Sequence, residues 1–342
     1  MTQKRFNTAF STNGWVGLYI VTILVGLFIG LLRLPIPYII SDVGTQTILQ
    51  FATMLFQWLI TILLISATAS KAVLHFINTL SLDNKQFSTR LNYNAFFTFV
   101  LSNILVSVFT LGLYVPWAYK SVACKLAESI EYDGDGRFRF LSLPSKLFIF
   151  ILVSFFIMLF LSVILALTLY LVIVSENMVL WFLVFVFFLI FVVAFSAIIV
   201  MMHVFILNWF INIGFSSGKK SCTYTLDIDI VCAVMFYIGQ LMLCFLTLGL
   251  YTGAYLINMY EYFTNKIVEK QNGEVTGRLM FKRPSDKGAI FLLGQVILSF
   301  LSLGFYRPFA YVEYANFFIK NTYLETKDEP EVIILPSEQS AE

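Results

Sequence analysis

The sequence predicts an all-α integral membrane protein: a polytopic helical bundle with repeated LGLY-type helical hairpins and short surface β-hairpins. Three observations predict it. Of 342 residues, 59% are hydrophobic and 12% are charged, about half the roughly 25% charged content of soluble domains. Apolar runs able to cross a bilayer core of roughly 30 Å as helix recur, among them WVGLYIVTILVGLFIGLL and LFIFILVSFFIMLFLSVILALTLYLVIV. No strand-length alternation suggests a β-barrel, and lipid offers free backbone groups no partner, so helix is the expected form.

The elements follow in order. Helices are expected at about 13–33 and 47–80. The start MTQKRFNTAFSTNG lacks a short apolar core with a small-residue cleavage site, so the first span reads as an uncleaved anchor. A helix at about 94–113 is followed by a shorter, more polar one at about 116–130. Long apolar helices are expected at about 146–174 and 177–214. The pair at about 228–249 and 253–268, and the pair at about 287–304 and 308–322, repeat the 94–130 pair. Adding roughly 135 residues to the first four helices lands on the next four, an internal-repeat pattern. The expected division is a first membrane repeat at 1–145, a second at 146–286, an extra helical hairpin at 287–324 and an acidic flexible tail at 325–342.

Between helices lie short pieces with strand-like alternation: STRLNY, GRFRFL, CTYTLD and GRLMFK. Turn signals flank them, namely DGDG at Asp133–Gly136 and QNGE at Gln271–Glu274. They are expected to pair as small β-hairpins or a sheet at the membrane surface. DGDG lacks the downstream ligands of a calcium loop and reads as a tight turn.

TLGLYVPWAYK from Thr110, TLGLYTGAYLI from Thr247 and SLGFYRPFAYV from Ser302 share one interruption. Gly112 suits a left-handed helix end, Pro116 suits the first turn of a new helix, and Tyr114 and Trp117 suit a headgroup layer. Each motif therefore reads as a reversal at one membrane face. With the N-terminus on the opposite face, all but Arg33, Lys120 and Arg307 of the 22 Lys and Arg residues gather there. Such enrichment marks the cytoplasmic side, so both termini are expected to be cytoplasmic.

Aligning the three second arms puts Ser121, Asn258 and Glu313 at one position. Three residues on come Cys124, Glu261 and Asn316, then Glu128, Asn265 and Lys320. Offsets of 0, 3 and 7 lie on one helical face. Ionisable groups at membrane depth cost about 2.5–3.5 kcal/mol at a helix centre, so these stripes should face protein or water. The candidate lining of a polar cavity is Ser121, Asn258, Glu261, Glu313 and Asn316, with Lys120 and Arg307 near the reversals. The alternative is that the stripes pair with one another or reach the cytoplasmic face. Lys71 and His75, with His203, Asn208 and Asn212, form a weaker polar set.

Cys124, Cys222, Cys232 and Cys244 lie far apart without metal spacing, and there are two histidines. No cofactor or metal is expected. No nucleophile elbow, zinc-protease, P-loop or dinucleotide motif appears, so no enzyme is expected. A net charge of +2 suggests no nucleic-acid partner. The expected partners are membrane lipids and a small solute or ion, with a homo-oligomer left open.

A polar strand-like start, an apolar helix, LG[LIF]Y-x-PWA, a second helix and another short strand form a recurring unit. LGLYVPWAYK with IEYDGDGRFRF, and LGFYRPFAY, resemble the bacterial YjgN-like inner-membrane family, classed as a domain of unknown function. The central copy departs, with Gly253 in place of Pro116 and Pro308; GLLRLPIPY at Gly30–Tyr38 is a worn version. The resemblance covers most of residues 6–325. It implies a bacterial inner (cytoplasmic) membrane location and brings no established activity. The favoured reading is a multi-pass protein forming a polar cavity or path for a small solute, ion or lipid headgroup. A non-transporting structural or partner-binding protein is the alternative, and an intramembrane enzyme ranks third.

Overall fold

In the computed structural model, the structure describes residues 2–33, 42–133, 136–175, 178–217, 220–284 and 287–327. It corrects the all-α expectation. Ten strands close into an antiparallel barrel: β1 (Thr2–Thr8), β2 (Leu80–Leu82), β3 (Lys85–Thr89), β4 (Ile130–Tyr132), β5 (Gly136–Phe140), β6 (Ile213–Ser217), β7 (Lys220–Leu226), β8 (Ile267–Gln271), β9 (Glu274–Phe281) and β10 (Thr322–Thr326). Round the ring the order is β1-β10-β9-β8-β7-β6-β5-β4-β3-β2. The strand-like pieces therefore form one closed sheet in place of separate surface hairpins.

Between the strands lie α1 (Val16–Arg33), α2 (Val43–Thr79), α3 (Tyr93–Phe109), α4 (Val115–Ser129), α5 (Pro144–Ser175), α6 (Met178–Phe210), α7 (Ile230–Leu246), α8 (Thr252–Thr264), α9 (Lys287–Leu301) and α10 (Arg307–Lys320). Each falls within a few residues of an expected helix. The order strand–helix–helix–strand recurs five times, and the two strands of each unit pair with neighbours round the ring. All five helix pairs consequently leave the barrel at one rim, and the β-turns lie at the other. The 1–145, 146–286 and 287–324 segments share this one sheet. The boundary at 145/146 falls near the start of α5, and that at 286/287 falls just before α9.

Local chemistry sets the ends of these elements. Asp42, Asn92 and Asp229 cap α2, α3 and α7 by accepting backbone N–H bonds. Asp83 and Asn84, and Asn272 and Gly273, have φ between 53° and 88°, which supplies the two left-handed residues a tight hairpin turn requires. The QNGE turn lies where the sequence indicates it. Gly134 and Asp135 of DGDG, and residues 328–342 of the acidic tail, lie outside the described residues, as do residues 34–38 of the worn motif.

The core sits where barrel and helices meet. Trp209 at the end of α6 is buried against Phe140 and Leu147. Its indole Nε1 donates to the Leu143 carbonyl at 2.8 Å, and Ser142 Oγ donates to the Trp209 carbonyl at 2.6 Å. Val204, Ala233, Met259 and Phe263 form a second cluster beneath β7 and β8. Farther from the barrel, the helices carry exposed Leu, Ile, Val and Phe over most of their outer faces. Val43–Thr79 and Pro144–Tyr170 are long and apolar enough to cross a membrane. The helices of the three LGLY hairpins have 13–17 residues, or roughly 20–25 Å at 1.5 Å per residue.

The barrel has the opposite polarity to a membrane-spanning one. Its outer face carries Gln3, Arg5, Gln86, Arg137 and Arg278, whereas its inner face carries Leu82, Phe87, Phe138, Phe215 and Leu324. A polar exterior around an apolar interior belongs in water.

Candidate functional site

Strand alternation turns every second side chain inward. The result is a lumen of about 560 Å³, walled by residues from all ten strands. This lies within the roughly 300–1,000 Å³ typical of small-molecule sites. Phe87, Tyr132, Phe138 and Phe215 form an aromatic ladder across one side. Phe87 and Tyr132 have ring centroids 4.9 Å apart, as do Phe138 and Phe215. Gly136 allows this packing: a Cβ there would stand 2.7 Å from Phe215 Cε2.

Five residues, Phe6, Leu80, Ile211, Ile267 and Leu279, also wall a second chamber of about 580 Å³ among α6, α7, α8 and α10. His203, Tyr237, Tyr255 and Met259 line that inner end. The two spaces share these five residues as an apolar common wall, which sets the inner chamber directly beside the lumen.

Polar groups in the lumen are few and placed. Lys85 forms an ion pair with Asp133 at the turn rim, and the Asp133 carboxylate raises the Lys85 ammonium above its ordinary value. Lys4 points inward nearby, level with the Asp83–Asn84 turn, where Asp83 N donates to the Arg5 carbonyl at 2.9 Å. Glu269 on β8 is 1% exposed, and Tyr224 on β7 donates its hydroxyl to Glu269 Oε2 at 3.4 Å. Gly277 makes room for that carboxylate, since a Cβ there would lie 3.2 Å from Glu269 Oε2.

Burial pushes the Tyr224 phenol well above its ordinary value of 10.0, and the Glu269 charge adds to the shift. A group with a raised folded value contributes full stability below its unfolded value and loses it as pH rises beyond that point. The barrel is therefore expected to lose about 1.4 kcal/mol per pH unit above roughly pH 10 through Tyr224. Chemical unfolding of Tyr224→Phe against the parent at pH 9 to 11, approximately, checks this: the variant should show the shallower alkaline decline.

The seven residues expected to line a polar cavity stand elsewhere, and none lines the lumen or the inner chamber. Asn258 Nδ2 donates to Gln240 Oε1 at 2.9 Å and to Tyr251 Oη at 2.7 Å, within its own hairpin. Glu261 lies 3.7 Å from Arg283. Asn316 Nδ2 donates to the Phe10 carbonyl at 2.9 Å. Glu313 and Arg307 are exposed, and Ser121 and Lys120 are half-buried on α4. Of the remaining stripe, Asn265 accepts from Phe281 N at 2.8 Å. His75 shares a 3.1 Å hydrogen bond with Ser11, away from His203 in the inner chamber.

The reversal motif carries more structure than its sequence announces. Leu111, Leu248 and Leu303 share φ near 52°, and the following Gly112, Gly249 and Gly304 share φ near 90°. Thr110, Thr247 and Ser302 accept the N–H of Tyr114, Tyr251 and Tyr306 at 2.9–3.1 Å. Tyr251 and Tyr306 then donate to Gln240 and Gln295, eleven residues earlier in each case, at 3.1 and 2.8 Å. These two tyrosines lock their hairpins internally. The recurring eleven-residue spacing was the sequence signal for that lock. The three leucines are 88–94% exposed while the neighbouring backbone N–H groups are bonded within the turn, the condition for apolar surroundings.

Residues 2–142 match the sequence model of the family described as "Bacterial protein of unknown function (DUF898)". No curated protein and no solved structure matches the chain.

Proposed function

With residues 2–142 matching the DUF898 family, which brings no activity with it, we propose that this is a membrane-anchored protein whose barrel and helical layer enclose the apolar chain of a lipid-like molecule. The single observation that carries the reading is the pair of adjacent, largely apolar chambers that share Phe6, Leu80, Ile211, Ile267 and Leu279 as a common wall. The barrel rests in water at the bilayer surface, with its polar outer face solvated. The five helix pairs extend from one rim into the membrane in a multi-pass arrangement. Lys and Arg concentrate on the barrel side, which makes that side cytoplasmic and leaves both chain ends there.

This reading replaces a polar path with an apolar one, because the lining residues are chiefly aromatic and aliphatic. The protein binds or passes its ligand and performs no covalent chemistry. Its partners are the surrounding lipids and the enclosed amphiphile.

Leu279 on β9 stands in this common wall, and Leu279→Trp narrows the space beside it. Native mass spectrometry of the full chain, released from a mild detergent, is expected to retain a lipid-sized adduct on the parent and at most a tenth as much on Leu279→Trp. Ile267→Trp provides a second obstruction, and thermal melting identifies any variant that fails to fold. Equal adduct on folded variants and parent would exclude the interior as the binding site.

A further inference from the structure

We infer that the lumen takes an anionic amphiphile, with the acid group held at the turn rim by Lys4 and the apolar chain running inward to the common wall. This deepens the apolar-interior reading and rests on it. Three observations meet here. First, Lys4 alternates with Phe6 on the inner face of β1, so its ammonium enters the same space as the apolar wall. Second, among the described residues no hydrogen bond or ion pair engages the Lys4 side chain. The neighbouring Lys85, by contrast, is neutralised by Asp133.

Third, the other carboxylate of the wall is covered by protein. Glu269 is 1% exposed, with Tyr224 donating to it and Gly277 opening a niche for it. An entering anion therefore meets a half-buried cation at the rim and a carboxylate already enclosed by protein. A carboxylate or a phosphate monoester offers the oxygen acceptors that an ammonium recognises. Each attached to a chain, these are the same ligand chemistry from two sources, a fatty acid or an anionic lipid.

The test uses the detergent-solubilised full chain and two fluorescent probes, dansylaminoundecanoate and its uncharged methyl ester. A charge-assisted contact of ordinary strength corresponds to about tenfold or more in affinity. Lys4→Met is expected to weaken undecanoate binding by that factor and leave the ester unchanged. Lys4→Arg, which keeps the charge, should restore most of the loss. Competition by lysophosphatidate and by dodecanoate then names the source, the stronger competitor identifying phosphate or carboxylate.

Unchanged undecanoate binding to Lys4→Met, or an equal loss for both probes, would overturn the inference. So would displacement of the probe by inorganic phosphate alone, which marks a site for free anions. The apolar reading fails separately, if Leu279→Trp binds the methyl ester as well as the parent does.

Discussion

Gly253→Pro is expected to destabilise the protein by about 3 kcal/mol or more, although it restores the proline that the other two reversal motifs carry. Overpacking a tight contact costs typically 1–3 kcal/mol and more where backbone must move. A Cβ at Gly253 would stand 2.0 Å from the Ala289 carbonyl oxygen and 3.0 Å from Leu293 N on α9. No side-chain rotation relieves a clash with a helix backbone, so α8 and α9 would have to separate. Pro116 and Pro308 are themselves buried without such a conflict. The departure of the central copy from the motif is thus a packing requirement, made where two helix backbones cross. Thermal and urea unfolding of Gly253→Pro, with Gly253→Ala as the milder step, measures the effect. A variant as stable as the parent would remove the close α8–α9 crossing.

The second large effect concerns barrel closure. Gln3 on β1 lies opposite Glu325 on β10, and these outward-facing residues join the two ends of the described chain. Directly opposed residues in an antiparallel pair have Cα atoms roughly 4.5–5.5 Å apart, within disulfide reach. In a background with the four native cysteines replaced, Gln3→Cys with Glu325→Cys is expected to crosslink nearly completely under mild oxidation. Closing so long a loop stabilises by about 5–6 kcal/mol on the chain-entropy account, so the oxidised form should unfold at markedly higher denaturant than the reduced one. Gln3→Cys with Thr322→Cys, which share no register, serves as the control. Absence of crosslinking in the first pair would leave the sheet open between β1 and β10.

Most helices were legible as sustained apolar runs, and the shorter, more polar second arms as the segments that follow each LG[LF]Y break. The barrel was not, for reasons visible in particular segments. β2 and β4 have three residues each, too few to show alternation against the helices that precede them. β8 and β10 follow α8 and α10 after a few residues without Pro or Gly, so their first residues read as helix. The four pieces that were legible overlap β3, β5, β7 and β9, the strands that lead into helices. Their partners in the ring are the inconspicuous strands, and a closed order cannot be seen when six of the ten strands are hidden.

The polar stripes meet different surroundings in the different hairpins. Equal spacing in the three second arms suggested a common face, but equivalent positions in a ring of units meet different neighbours. Asn258 meets Gln240 in its own hairpin, while Asn316 meets the Phe10 carbonyl beyond β1. The candidate site lies in the barrel instead, where Lys4, Phe6, Leu279 and Glu269 converge from distant positions. Alternation in TQKRFNT and GRLMFK was its only trace in the sequence.

The central claim is that a single apolar interior runs from the barrel rim into the helical layer and holds a chain-bearing ligand. Electron cryo-microscopy of the full chain in a lipid nanodisc tests it most directly. The account predicts elongated density that starts beside Lys4, passes Leu279 and ends near Tyr255 and His203. A barrel interior closed by its own side chains, with lipid density confined to the outer faces of the helices, would contradict it.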